Sequence, residues 1–332
     1  MASNEDGYML RRDSEESQRL NTQHTFYRCL SRGHLLHPSI PVKNIAAVAD
    51  VAAGTGIWLR ELASSSEFAS RPDRPEQSFV GFDVSPQQYP SKDGLSEPVK
   101  LEVHDFAKPF PKEYNEKFDV VNVRLVSYVL QLTKLEIVVK NILQILRPGG
   151  YLQWQECDAG DSWTSPENPI STSTINYIIA EKVARGLIPG IAVPLARTIT
   201  SLQTEVLPGQ QNVDSRSTNL MRIKHLETVS TADHPDPRIA VETKLAIISA
   251  ATVLLESSIN RNQAAVYTAS GAEKEKLQND VQAMTSLREA IKRGEGDAIN
   301  NWNFEMIWIV ARKALVLDEE EPWMAKKYPA SR

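Results

Sequence analysis

The stretch "VADVAAGTGIWLREL", residues 48–62, decides the fold. An apolar run predicts a strand ending near Asp50, two glycines follow at 54 and 56, and from Ile57 the apolar residues recur at helical spacing. A strand, a glycine turn and a helix make the first unit of an open α/β sheet, with a ligand at the turn. A triphosphate loop needs Lys and then Ser or Thr after the second glycine, but Ile57 and Trp58 stand there. A dinucleotide turn wants a third small residue for tight helix packing, but position 59 is Leu. What remains is an acidic strand end, Asp50, then Ala52, Gly54 and Gly56 before a helix N-terminus. Such a turn suits an amino-acid carboxylate.

Outward from that unit the alternation continues. Strands are expected at 78–84, 99–106, 118–126 and 151–156. The clearest helix, 134–146, ends in "RPGG", which supplies a proline stop and glycine termination. Successive strand and helix predict a mainly parallel sheet covered on both faces. Asp83 ends the second strand, where a carboxylate accepts hydrogen bonds from the two hydroxyls of a ribose. Asp105 and Phe106 end the third, where an acid accepts an adenine amino group and Phe106 offers its amide and ring edge. Three acids at three successive strand ends imply an adenosine along one sheet edge.

The sequence divides into four parts. Residues 1–44 form a helical arm, 45–157 the binding core, and 158–300 a mainly helical cap with a late strand at 221–230. Residues 301–332 give a final strand and tail. Within the cap, helical patterns occupy 174–206, 238–262 and 271–293, and 304–316 reads as a strand rejoining the sheet. The segment 64–77 reads as a flexible connection.

Composition excludes several classes. A net charge of -5 over 332 residues gives no basic field for nucleic acid or an anionic membrane. Two cysteines supply neither a disulfide framework nor a zinc site, so no metal is expected. No apolar run reaches the roughly 20 residues of a membrane span, and the charged N-terminus does not read as a signal peptide. A cytoplasmic protein is expected.

"DVAAGTG" (50–56), "VGFDVS" (80–85), "HDFAKPFP" (104–111), "FDVVNVRLV" (118–126) and "LRPGGYLQWQE" (146–156) together resemble the class I S-adenosylmethionine-dependent methyltransferases. "ESQRLNTQH" (16–24) and "GFDVSPQQYP" (81–90) narrow the resemblance to fungal secondary-metabolite members, gliotoxin-type N-methyltransferases and LaeA-like regulators. The resemblance implies a Rossmann-like α/β sheet with a helical arm and a helical substrate cap, and S-adenosyl-L-methionine as cofactor. It further implies that Gly54 and Gly56 approach the methionine portion, Asp50 orients its amino group, and Asp83 binds ribose. Asp105 and Phe106 then hold adenine, while Asn122 and Arg124 close the methionine side, with Arg124 a carboxylate partner or a surface cation. Ala52 stands where glycine is usual.

Methyl transfer to an amine needs no general base, whereas a phenol or carboxylic acid is helped by one. The candidates are His24 in the arm and Glu156 past the fifth strand. Trp154, Trp163, Tyr177, Trp302, Phe304 and Trp308 are candidate walls for an aromatic or planar small molecule. An N or O acceptor, a donor-binding enzyme that does not methylate (a pericyclase or eliminase) and a LaeA-like regulator all stay open, as does oligomeric state. A nicotinamide dehydrogenase ranks last.

Overall fold

A computed structural model describes residues 12–69, 77–91, 98–157, 163–164, 169–202, 221–294 and 303–314. The arm enters as helix α1 (Ser14–Leu30), started by Asp13, whose carboxylate accepts the Glu16 N–H at 2.9 Å. Its inner face buries His24, Phe26, Tyr27 and Leu30.

Five parallel strands follow: β1 (Ala47–Val51), β2 (Ser78–Asp83), β3 (Val99–Val103), β4 (Phe118–Arg124) and β5 (Leu146–Cys157). They stand in the order β3-β2-β1-β4-β5, so connections leave β1 in opposite directions on its two sides. At that reversal the helices diverge and leave a crevice at the carboxyl ends of the strands, where ligands of open α/β sheets bind. Asp50 sits beside it, in register with Gly81 on one side and Asn122 on the other. Beyond β5 the sheet turns antiparallel: β8 (Asn303–Lys313) pairs β5, and β7 (Met221–Ser230) and the short β6 (Trp163–Thr164) pair β8. Both late strands therefore rejoin the sheet.

Helices α2 (Ile57–Ser64) and α3 (Ser66–Ala69) cover one face, with Trp58, Leu59, Leu62 and Phe68 packed on Val48, Phe79 and Val120. The other face is covered by α4 (Leu135–Ile145), which packs with the later helices against Val121, Val123, Leu152 and Trp154. The helical stretch expected at 174–206 is split between α5 (Pro169–Ala184) and α6 (Ala192–Ser201), broken at Gly186, whose φ is +67°, and 203–206 lie outside the described residues. Leu195 and Ile199 of α6 join the α4 side of the sheet, so this part of the expected cap belongs to the core layer. The long pair α7 (Ile239–Val266) and α8 (Gly271–Arg293) packs with α1 and β8 through Phe26, Leu255, Met284 and Phe304.

Two local expectations change. Residues 66–69, within the expected flexible connection, form α3 with Phe68 buried, while 70–76 lie outside the described residues. The "RPGG" segment does not separate helix from strand: α4 stops at Ile145 and β5 already pairs Leu146 with Phe118, then shifts register before Tyr151 meets Val120. Gly150 lies in this irregular start, where a Cβ would come 2.9 Å from the Arg147 carbonyl oxygen and 3.1 Å from that of Asp119. Among the described residues no helix is long and apolar enough to cross a membrane.

Candidate functional site

In the glycine turn every second residue is left-handed. Ala52, Gly54 and Gly56 have φ of +61°, +56° and +68°. Such φ is costless for glycine and strained for alanine. The turn is closed by Ala53 N–H on the Phe82 carbonyl at 3.0 Å and Gly56 N–H on the Ala53 carbonyl at 2.8 Å. The Gly54 N–H donates to Asp83 Oδ2 at 2.8 Å, and Ser85 N–H to Asp83 Oδ1 at 3.2 Å. Burial raises the Asp83 pKa, opposed by these two bonds and by Arg12.

Beside it, Asp50 is pinned from below. Asn122 Nδ2 donates to Asp50 Oδ1 at 2.8 Å, and Gln153 Nε2 donates to Asn122 Oδ1 at 2.8 Å and to the Leu35 carbonyl at 3.0 Å. Gln153 Oε1 accepts the His37 N–H at 2.7 Å. Buried amides thus run across β1, β4 and β5, satisfy one another, and fix the rotamer of Asp50. Burial raises the Asp50 pKa to about 6, opposed by the Arg124 charge and the Asn122 bond.

A cavity of about 640 Å³ opens over these groups, and His24, Asp50, Ala52, Gly54, Asp83, Asp105, Phe106 and Arg124 all line it. At its polar end Asp105 Oδ1 accepts the Ala107 N–H at 2.9 Å, and the Phe106 carbonyl accepts Asn141 Nδ2 at 3.0 Å. Its apolar part is walled by residues of one hydrophobic cluster: Tyr27 of α1, Leu125 and Tyr128 after β4, Cys157 at the end of β5, Ala250 and Leu254 of α7, and Phe304 of β8. The α7 residues recur at i, i+4 and i+8 with Ala246, a helical face legible in the sequence; that it faces the strand ends required the fold.

Three expected site residues lie elsewhere. Gly56 does not line the cavity: a Cβ there would meet Leu101 Cδ2 at 2.9 Å, so this glycine serves the approach of the turn to β3. Asn122 is fully buried and touches Asp50 rather than the cavity. Glu156 is 1% exposed and outside the cavity lining, with Oε1 accepting the Val126 N–H at 2.7 Å and Trp154 Nε1–H at 3.2 Å. Burial raises its pKa to about 7. Among the described residues it lies behind Val126 and Cys157, which do line the cavity.

His24 lines the cavity, but its ring nitrogens are both engaged. Arg124 Nη1 lies 3.2 Å from Nδ1, and Nε2 contacts the Glu61 carboxylate of α2, which also pairs with Arg28. A guanidinium has no acceptor, so Nδ1 must accept and the proton must sit on Nε2, facing Glu61. Burial and the charges of Arg124, Arg28 and Arg60 push the His24 pKa down to about 3. Its one lone pair is held by Arg124, which removes it as a proton acceptor in this arrangement.

Of the described aromatic side chains expected around a substrate, Trp154, Tyr177, Phe304 and Trp308, only Phe304 lines the cavity. Trp154 and Trp308 are core residues, Tyr177 packs at the edge of the α7 cluster, and Trp302 and the side chain of Trp163 lie outside the described residues.

Comparison with known proteins adds the family. Residues 49–153 match the methyltransferase domain family. The methyltransferase grgD of a Penicillium species is 32% identical over 216 residues, 65% of this chain and 73% of that protein. The N-methyltransferase verN of Clonostachys rogersoniana is 26% identical over 218 residues, covering 66% and 70%. The N-methyltransferase gliN of Aspergillus fumigatus is 26% identical over 159 residues, covering 47% and 52%.

Proposed function

This chain belongs to the class I S-adenosylmethionine-dependent methyltransferases and resembles their fungal secondary-metabolite members, and we propose that it methylates a nitrogen of a small, largely apolar molecule. The observation that carries the choice of nitrogen is the make-up of the cavity's apolar end. Beside Leu125, Leu254 and Phe304, this part of the lining carries Tyr27, Tyr128 and Cys157 and, among the described residues of that cluster, no carboxylate. Burial and the neighbouring Cys157 raise the Tyr27 pKa, so its hydroxyl keeps its proton, and the lone pair of His24 is taken. A nitrogen carrying its own lone pair needs no base from the protein, whereas a phenol or carboxylic acid must first be ionised. The relatives named as N-methyltransferases support the same choice.

The polar end fits the donor. Asp83 keeps acceptor capacity beyond its two N–H partners, enough for a ribose diol. Asp50 and Arg124 offer opposite charges to a zwitterionic amino acid, and Asp105 and Phe106 stand where adenine is expected. The donor supplies a methyl group already activated on a sulfonium, so the chain has chiefly to hold, align and exclude water. Tyr27, Leu125, Ala250 and Phe304 then orient the acceptor, and α1 covers the donor, tied to the turn by Thr55 Oγ1 on Asn21 Oδ1 at 2.7 Å. Neither a non-methylating enzyme nor a regulator is favoured by any observation at the site.

The test is to locate the methyl in the product. Turnover with a ¹³C-methyl donor, followed by NMR, should give the chemical shift and couplings of an N-methyl; an O-methyl signal would overturn the choice of nitrogen.

A further inference from the structure

On the reading that the polar end of the cavity takes the amino-acid portion of the donor, we infer that His24 is a positioning residue, which holds the Arg124 guanidinium toward the donor carboxylate. Arg124 is the last residue of β4. After it Leu125 takes φ of +57° while its N–H still donates to the Gln155 carbonyl of β5 at 3.0 Å, so the chain turns at the strand end with its backbone anchored there. What steers the guanidinium is its charge partners. Asp50 attracts it, and each shifts the titration of the other. Unopposed, that attraction would draw the guanidinium toward Asp50 and away from a donor carboxylate.

His24 supplies the opposing tether. Its Nδ1 accepts from Arg124 Nη1 at 3.2 Å, and its ring is fixed at the far end by Nε2–H on Glu61. Glu61 is itself held by Arg28 one helical turn along α1. The charged groups around the imidazole are therefore Arg28 from its own helix, Arg60 and Glu61 from α2, and Arg124 from β4. Burial first, and then three cations against one carboxylate, keep the ring neutral, and only a neutral ring presents a lone pair to a guanidinium. A protonated histidine would repel Arg124 instead. The arrangement also couples arm to seat: α1 carries both the tether and Leu20, whose Cδ1 lies within 3.4 Å of a Cβ built on Gly54.

The test separates the two ring nitrogens. Asn at this position keeps an acceptor near the place of Nδ1, whereas Gln keeps a donor near that of Nε2. Titration calorimetry is run with S-adenosylhomocysteine, which carries the amino-acid portion, and with 5'-methylthioadenosine, which lacks it. The unsubstituted protein should bind both. His24→Asn should keep S-adenosylhomocysteine affinity within about threefold, and His24→Gln should weaken it about tenfold, the loss of one charge-assisted hydrogen bond. Methylthioadenosine affinity should stay within about twofold in both variants, which also reports that they fold. Equal loss for both nucleosides, or no loss in His24→Gln, would overturn the inference. Failure of the unsubstituted protein to bind S-adenosylhomocysteine would instead overturn the donor reading on which it rests.

Discussion

The Asp83 carboxylate accepts the backbone N–H of Gly54 at 2.8 Å, tying the end of the second strand to the turn after the first. One side chain thus shapes the turn and faces the cavity. Asp83→Ala should weaken S-adenosylhomocysteine binding by about 1–3 kcal/mol, through lost ribose hydrogen bonds and a freed turn. Calorimetry checks it, and an unchanged affinity would remove Asp83 from the donor site.

Ala52 holds φ of +61°, a left-handed conformation in which its Cβ crowds the following carbonyl. Replacement by Gly relieves that strain and loosens the unfolded chain, two effects of opposite sign. Strain is the larger at about 1–2 kcal/mol, so Ala52→Gly should stabilise the fold by about 1 kcal/mol or slightly less. Urea denaturation reads the shift in midpoint; a lower midpoint would show that the alanine methyl makes contacts worth more than the strain.

The buried, neutral His24 makes stability depend on pH. Its pKa falls from 6.5 to about 3 on folding, so between those values the unfolded chain binds the extra proton and stability is lost as pH drops. Asp50 and Glu156, raised to about 6 and about 7, act in the opposite sense. They are common to the parent and a His24→Asn variant and cancel in the difference. Relative to that variant, the parent should lose stability progressively as pH falls below about 6.5. Parallel melting curves across this window would contradict a neutral, buried His24.

Glu156 is buried behind the cavity wall with the Val126 N–H on Oε1. An amide reproduces that acceptor, so Glu156→Gln should keep turnover within about threefold, while Glu156→Ala should cost about 1–3 kcal/mol of stability by stranding the Val126 N–H. Steady-state kinetics decide: a Gln variant that folds normally but has lost its turnover would restore Glu156 as a catalytic base.

Much of the sheet could be read from periodicity, because parallel strands buried on both faces give continuous apolar runs between glycine and proline signals. The strand-end acids were legible for the same reason: Asp50, Asp83 and Asp105 each follow such a run. What the runs could not reveal was which polar residues spend their hydrogen bonds on other protein groups. His24 and Glu156 look alike as candidate bases until Arg124, Glu61 and Val126 appear as their partners. Gly56 resembles Gly54 until Leu101 arrives from β3. The acceptor wall was the least legible part, since Tyr27, Cys157, Ala250 and Phe304 are far apart in the sequence and meet only when α1 and α7 close over the strand ends.

The central claim is transfer of methyl from S-adenosylmethionine to a small molecule held at the apolar end of the cavity. The most direct measurement is to incubate the protein with methyl-labelled donor and a fungal metabolite extract, then follow the label by mass spectrometry. The account predicts a low-molecular-mass product heavier by one labelled methyl, formed more slowly when Asp83→Ala replaces the parent at limiting donor. Consumption of a metabolite with no label in any product would contradict it.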